Sequence, residues 1–183
     1  MKSAIGLLEM KNITKGILAA DAMLKAAPVE LVTAQSLCPG KYMVMVAGDV
    51  GAVQSAVSSG RAAGGAENIV DEFVLPNLHP NLFPALTGCT EAKQLRSLGL
   101  IESYSVASAI IAADTAVKAA AVELLEVRLA RGMGGKALVT LSGEVGAVTA
   151  AVRAGSSAIL DSGFLADQLV LPAPHKELAA LVL

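Results

Sequence analysis

The spacing of hydrophobic positions along this chain is typical of a β-strand in some segments and of an α-helix in others. The same order of such segments occurs twice. The apolar run "AIGLLEM" at residues 4–10 has the length and composition of a buried β-strand. After it, apolar residues recur every three or four positions, which predicts an amphipathic helix in each half. We expect these stripes to face the core: Ile13, Ile17, Ala20, Leu24 and Ala27 in the first half, and Val106, Ile110, Ala113, Val117 and Ala120 in the second.

The rest of each half predicts two strands, a second helix and a last strand. "VELVTAQSL" and "KYMVMVAG" are rich in β-formers and flank a tight turn at Cys38. Asp49 is placed to cap a helix with valines at helical spacing, and "IVDEFVLP" follows as the last strand. The order βαββαβ indicates the α+β class, as a ferredoxin-like α/β sandwich with an antiparallel sheet and helices on one face.

An internal repeat defines the domain organisation. Residues 5–31 align without a gap on residues 98–124, with roughly half of the positions identical. The similarity resumes at "KYMVMVAGDVGAVQSAV" over "KALVTLSGEVGAVTAAV" and ends at "FVLPNLH" over "LVLPAPH". We therefore predict two similar tandem domains, at residues 1–90 and 91–183.

Composition and charge exclude several classes of function. Charged residues interrupt every apolar run before it reaches the length of a membrane span. The start has too short an apolar run for a signal peptide, so we expect a cytoplasmic protein with reduced thiols and no disulfide framework. A net charge of −2 without a basic run gives no surface for nucleic acid. Cys38 and Cys89 are then candidates for metal binding or free thiols.

Long phrases in both halves resemble a known family. "AADAMLKAAPVEL", "AGDVGAVQSAV" and "VLPAPH" resemble the bacterial microcompartment shell domain, and the resemblance covers nearly the whole chain. Two copies in one chain are similar to the tandem, trimer-forming class of that family. The "CPGK" turn is similar to the T-type class of propanediol-utilisation shells, for which an iron-sulfur cluster is expected.

The resemblance implies a structural shell subunit and not an enzyme. Its expected assembly is a homotrimer, a pseudohexameric tile in the shell of a microcompartment in the cytoplasm, with turns around a central pore. Three copies of Cys38 would meet on the threefold axis and hold one [4Fe–4S] cluster per trimer. The implied role is electron transfer across the shell or delivery of clusters to enzymes inside. Expected partners are other shell proteins at the tile edges and a redox enzyme or electron carrier.

Further residues receive roles from the same resemblance. Lys25 and Lys118 occupy equivalent positions near a helix end, where a cation also interacts well with the helix dipole, and the family places such a lysine at the tile edge. Cys89 has no counterpart in the second copy and is taken as incidental. The expected pore loop, whose cations would offset the negative charge of a cluster, comprises Pro39, Gly40, Lys41, Arg131, Gly132, Met133, Gly134, Gly135 and Lys136.

Two alternatives to the cluster-bearing tile stay open. One is a metal-free tile whose central pore conducts a small metabolite. The less favoured one is a trimeric enzyme with Cys38 as its nucleophile. The carboxylates Glu9, Glu102, Asp21 and Asp114 recur in both copies, which favours a shared fold over acid–base catalysis, and no hydrolase triad or zinc-ligand spacing occurs.

Overall fold

The structure, a computed structural model, describes residues 4–88, 90 and 96–178. Eight strands and five α-helices have both of their bounds in these ranges. The strands are β1 (Ala4–Met10), β2 (Glu30–Leu37), β3 (Lys41–Gly48), β4 (Ile69–Pro76), β5 (Ser97–Ser103), β6 (Glu123–Arg128), β7 (Ala137–Gly143) and β8 (Leu165–Leu171). The helices are α1 (Ile13–Ala26), α2 (Val50–Gly64), α3 (Leu82–Thr87), α4 (Val106–Ala119) and α5 (Val145–Leu160).

The chain divides into two compact units. Unit 1 comprises residues 1–78 together with 130–135, and unit 2 comprises residues 79–129 together with 136–183. The predicted boundary between residues 90 and 91 lies beside residues outside the described part, and it stays a prediction.

Unit 1 is an antiparallel four-stranded sheet in the order β2-β3-β1-β4. Helices α1 and α2 pack on each other and on one face of this sheet. Gly6 on β1 permits the close approach of α2 to the sheet, since a Cβ atom there would lie 2.6 Å from side-chain atoms of both Val53 and Val57. The buried cluster between sheet and helices includes Leu8, Met10, Met23, Val44 and Val46.

Unit 2 repeats this arrangement with the strand order β6-β7-β5-β8. Helices α4 and α5 pack together, and Gly99 occupies the position equivalent to Gly6, close to Val148 and Val152 of α5. The short helix α3 belongs to this unit as well, where it packs on β6 and α4. The predicted α+β class with two βαββαβ arrangements is confirmed.

The expectation that both helical stripes face the core was wrong for three residues of α1. Ile13, Ile17 and Leu24 are exposed, whereas Ala20 and Ala27 of the same stripe do pack against the buried cluster. The fully buried residues of α1 are Gly16, Ala19 and Met23. The equivalent stripe of α4 is buried at Val106, Ile110, Ala113 and Val117. Periodicity identifies an apolar face of a helix, but it does not determine whether the same chain covers that face.

The capping prediction was half right. Asp49 does occupy the N-cap position of α2 with extended backbone angles, but its side chain makes no capping hydrogen bond. Asp49 is exposed, so that solvent is available to the first-turn N–H groups. In α4, by contrast, the N-cap Ser105 accepts a bond from the Ser108 N–H. No helix among the described residues is long and apolar enough to cross a membrane.

Candidate functional site

The Cys38 turn connects β2 and β3 at one end of the unit 1 sheet. Leu37 is the last residue of β2 and Lys41 is the first of β3, so the turn consists of three residues. The Gly40 N–H donates to the Leu37 carbonyl at 2.9 Å, and Gly40 has a φ of +98° that favours glycine. Cys38 is half-buried and carries a free thiol, whereas Pro39 and Gly40 are exposed. The turn thus presents one thiol at the edge of the sheet.

A segment from the second repeat supports this turn. Residues 130–135 belong to unit 1, and the Cys38 N–H donates to the Ala130 carbonyl at 3.0 Å. Gly135 is buried beside the turn, where a Cβ atom would come within 2.9 Å of the Cys38 carbonyl oxygen. Gly135 also has a φ of +89°. Both its conformation and its contact therefore require glycine.

A buried ion pair also holds the 130–135 segment beside the Cys38 turn. The ammonium group of Lys41 pairs with the carboxylate of Glu9, which is completely buried on β1. The same ammonium donates to the Gly135 carbonyl at 3.2 Å. Lys41 therefore joins β1, β3 and the 130–135 segment, and its charge is directed toward Glu9.

The remaining cations of the expected pore loop have different partners. Arg131 donates to the side-chain oxygen of Gln35, a neutral group. In unit 2, Lys136 lies 3.2 Å from the Glu102 carboxylate and 5.5 Å from the centre of the Tyr104 ring. Arg131 is thus exposed beside the Cys38 turn with an uncharged partner, whereas Lys41 and Lys136 are paired with carboxylates.

The other residues of the expected pore loop form the exposed side of the 130–135 segment. Gly132 and Gly134 have φ angles of +69° and +61°, and Met133 between them is half-exposed. A Cβ atom would meet nothing within 4 Å at either glycine. Their role is conformational, since they allow the segment to turn, and a place at a central pore stays a prediction.

The described part of one chain does not supply the ligands of a metal site. Within the described residues, no group of three or more His, Cys, Asp or Glu side chains could hold a metal ion. A single half-exposed thiolate at the tip of a turn fits an iron-sulfur cluster only when several chains each contribute one. Cys89 lies outside the described residues.

Lys25 and Lys118 both pair with the aspartate one helical turn before them, but in different surroundings. The Lys25–Asp21 pair is exposed, with a distance of 2.7 Å. Asp114, the partner of Lys118, is buried and also accepts a bond from the His79 N–H at 2.8 Å. Neither arrangement tests the expected role at a tile edge.

Sequence reasoning missed the groups that support the turn. Ala130, whose carbonyl accepts the Cys38 N–H, has a φ of +41° and no distinctive sequence motif. Gln35 and Asp114 also acquire their roles through contacts with distant positions. Only Glu9 gave a signal, since its recurrence as Glu102 indicated a structural role that its burial now explains.

Comparison with known protein families finds the same domain in each of the two repeats. A model of the BMC domain matches residues 4–78 and again residues 97–174. The chain belongs to the BMC domain family. The resemblance drawn from the repeated phrases is confirmed, and this family membership makes the chain a structural subunit of a bacterial microcompartment shell.

Individual relatives extend over the full length of the chain. The chain is 43% identical over 97% of its length to the bacterial microcompartment shell protein PduT of Citrobacter freundii, covering 96% of that protein. The carboxysome assembly protein CcmO of a Synechocystis strain is 29% identical over 93% of this chain and 61% of its own length. Other relatives match less than half of the chain: the shell protein PduA of Citrobacter freundii is 40% identical over 44% of this chain and 88% of its own length.

A solved structure has the same fold. The crystal structure of a microcompartment protein from Desulfitobacterium hafniense superposes with a TM-score of 0.86 at 46% sequence identity. The match covers 98% of this chain and 99% of that one. The alignments to PduT and to this solved structure extend over both repeats of the chain, and PduT is named as a shell protein.

Proposed function

We propose that the chain is the subunit of a homotrimeric shell tile, in which three copies of Cys38 hold one [4Fe–4S] cluster at a central pore. The observation that carries this proposal is the single thiol at the tip of a supported turn. If the threefold axis of the trimer passes near this turn, the Cys38 thiolates of the three chains lie close to a common point. Three thiolates can ligate three irons, and the fourth iron is then available to a small ligand or a partner.

The donor set and its surroundings fit such a cluster. Thiolate is the ligand that iron-sulfur clusters favour, and the Cys38 N–H and Gly135 contacts hold the turn in one conformation. When bound, the cluster supplies one-electron redox chemistry at the shell. Arg131 places a positive charge next to the turn, which would offset part of the negative charge of a thiolate-ligated cluster.

The trimer is supported by a difference in burial between the repeats. The outer face of α1 is exposed, and Ile17 has 54% of its surface accessible, whereas the equivalent Ile110 of α4 is fully buried. The sheet face opposite the helices shows the reverse. Phe73 in unit 1 is buried, whereas its equivalent in unit 2, Leu169, is 46% exposed.

The unit 2 sheet and helix α1 of unit 1 therefore each have an exposed apolar surface that a contact between two copies would cover. Leu100, Leu138 and Leu169 line a shallow depression of about 250 Å³ on that sheet face. Their unit 1 equivalents Leu7, Met43 and Phe73 are all buried. A head-to-tail contact, with α1 of one copy on the unit 2 sheet of the next, buries both surfaces, and such contacts close into a ring when the rotation permits.

Chemical analysis of iron and sulfide tests the cluster. Protein prepared or reconstituted without oxygen should be brown and contain about four irons and four sulfides per trimer. Cys38→Ser should fold as a trimer but lose the iron and the visible absorption, since serine oxygen is a poor ligand for iron in clusters. Cys89→Ser is the matched control and should retain both.

Two results would overturn the cluster assignment. Iron retained by Cys38→Ser, or lost by Cys89→Ser, would place the cluster on other residues. Wild-type protein that never holds iron would favour the metal-free tile, whose pore the exposed Pro39, Gly40 and Arg131 would border. Cys38 as a nucleophile predicts rapid alkylation by iodoacetamide at neutral pH, which a thiol of ordinary reactivity does not show.

A further inference from the structure

The segment that follows the last strand of the first repeat forms a contact whose counterpart is not found among the described residues of the second repeat. His79 begins unit 2, and its N–H donates to the buried Asp114 of α4 at 2.8 Å. Three residues later Leu82 is completely buried, where α3 packs on β6 and α4. The segment after β4 is therefore anchored by one hydrogen bond and one buried leucine.

The segment after β8 has the same local design. His175 occupies the position of His79, and the two imidazoles accept equivalent bonds through Nδ1, from the Glu177 N–H at 3.4 Å and the Asn81 N–H at 3.3 Å. Leu178 follows His175 by three residues, as Leu82 follows His79. Leu178, however, is 42% exposed.

The first repeat contains the surface equivalent to the one that α3 covers in unit 2. This surface, the receptor for a docking segment, is exposed. Asp21 on α1 is the equivalent of Asp114, and its side chain is 55% exposed whereas that of Asp114 is 3% exposed. Leu31 on β2 is exposed, whereas its equivalent Leu124 on β6 is buried. The surface that α3 occupies in unit 2 is therefore present in unit 1 and is exposed to solvent.

We infer that the C-terminal segment beginning at His175 docks on Asp21, α1 and β2 of a second copy of this chain, with the His175 N–H donating to Asp21 and Leu178 packed beside Leu31. The described start of this segment has the required pattern, since His175 and Leu178 have the same spacing as His79 and Leu82. Lys176 adds a positive charge next to the Asp21 carboxylate.

This inference rests on the proposed homotrimer and adds a specific joint to it. The equivalent place in unit 2 is already filled by α3, so the segment after β8 cannot repeat the contact there. Each copy offers one segment and one receptor, which makes the contact head-to-tail. In a closed ring of three copies, every segment is docked and every receptor is occupied.

Cross-linking of engineered cysteines tests the joint. In a background of Cys38→Ser and Cys89→Ser, Lys25→Cys and His175→Cys are made separately and together, so that the Asp21 carboxylate stays in place, and a short bis-maleimide is added. The double variant should give covalent dimers and trimers, and the two single variants expressed together should give dimers joined through residues 25 and 175. Leu160→Cys, at an exposed position of α5, replaces His175→Cys as the control and should give none.

The outcomes separate the joint from the trimer. A trimer by light scattering without a 25–175 cross-link overturns the docking and leaves the trimer intact. Cross-linking confined to a single chain also overturns the docking, because the segment would then bind its own chain. A monomer overturns both proposals.

A variant of the leucine measures the strength of the contact. Leu178→Glu should raise the dissociation constant between copies at least ~10-fold, since burial of one leucine contributes that much or more. Leu160→Glu adds the same charge at another exposed position and should leave association unchanged. An unchanged association of Leu178→Glu would contradict the proposed packing of Leu178.

Discussion

At the scale of single residues, the Cys38 turn depends most on Gly135. Two separate constraints act there, a φ of +89° and a gap of 2.9 Å between the position of a Cβ and the Cys38 carbonyl oxygen. Gly134 next to it has only the first constraint, with a φ of +61° and open space around the Cβ position. The two neighbours therefore allow the conformational cost and the contact cost to be measured separately.

We predict that Gly135→Ala destabilises the chain more than Gly134→Ala. The positive φ should cost ~1–3 kcal/mol in either variant, and Gly135→Ala should lose at least ~1 kcal/mol more because the turn must move away from the new methyl group. The free energies of unfolding from denaturant titration check this. Equal values for both would show that the gap beside Cys38 can widen without cost. On the proposed function, iron content should fall only in Gly135→Ala.

At the scale of elements, the ion pair between β1 and β3 is buried in one repeat and exposed in the other. Glu9 is fully buried with Lys41, whereas Glu102 and Lys136 are each about one-third exposed. Lys41→Met leaves a buried carboxylate without its cation and should cost ~3–5 kcal/mol. Lys136→Met, the same change in the second repeat, should cost less than ~1 kcal/mol. Denaturant unfolding of both variants measures the difference.

A double variant distinguishes the pair from other causes. Glu9→Gln combined with Lys41→Met should recover part of the stability, because no unpaired charge is then buried. A Lys41→Met variant as stable as Lys136→Met would contradict the stabilising role assigned to the buried pair. Lys41 also holds the Gly135 carbonyl, so its loss should loosen the support of the Cys38 turn as well.

The sequence predicted the elements well because local patterns determine them. The order of strands and helices in each repeat follows from apolar periodicity and turn residues, and the repeat itself showed that the arrangement occurs twice. The exposure of Ile17 and the burial of Ile110 could not be predicted, because both have the same helical spacing. Burial depends on what covers a face, and that is a property of the whole chain and its partners.

The candidate site was predictable in part for a similar reason. Cys38 and its turn residues were visible as a motif, since Pro and Gly mark turns. The supporting Ala130 carbonyl and the Gln35 partner of Arg131 come from positions distant in sequence, and backbone acceptors have no residue type to recognise. Long-range support of a turn is therefore readable from a structure but not from a motif.

At the scale of the whole molecule, the two proposals assign neighbouring exposed groups of unit 1 to different contacts. Asp21 and Lys25 lie one helical turn apart on α1 and are paired, and both are largely exposed. Asp21 is assigned to the joint between copies, whereas Lys25 is expected at the edge between tiles. Lys118 is unsuited to testing the edge, because its partner Asp114 is buried and also binds the His79 N–H. An acidic residue at position 118 would place two carboxylates together in a buried site.

Lys25→Glu is therefore the variant that tests lateral tiling. We predict that it abolishes extended sheets of tiles in negative-stain electron microscopy while light scattering still reports a trimer, because an edge lysine becomes a carboxylate that repels its neighbour. Lys15→Glu, an exposed lysine on the same helix without an assigned edge contact, introduces the same change in charge and should leave the sheets intact. If the Lys25→Glu sample still forms sheets, Lys25 has no role at the tile edge. Its role is then limited to the ion pair with Asp21 and to the interaction with the helix dipole. Loss of sheets in both variants would show that net charge, and not position 25, controls the assembly.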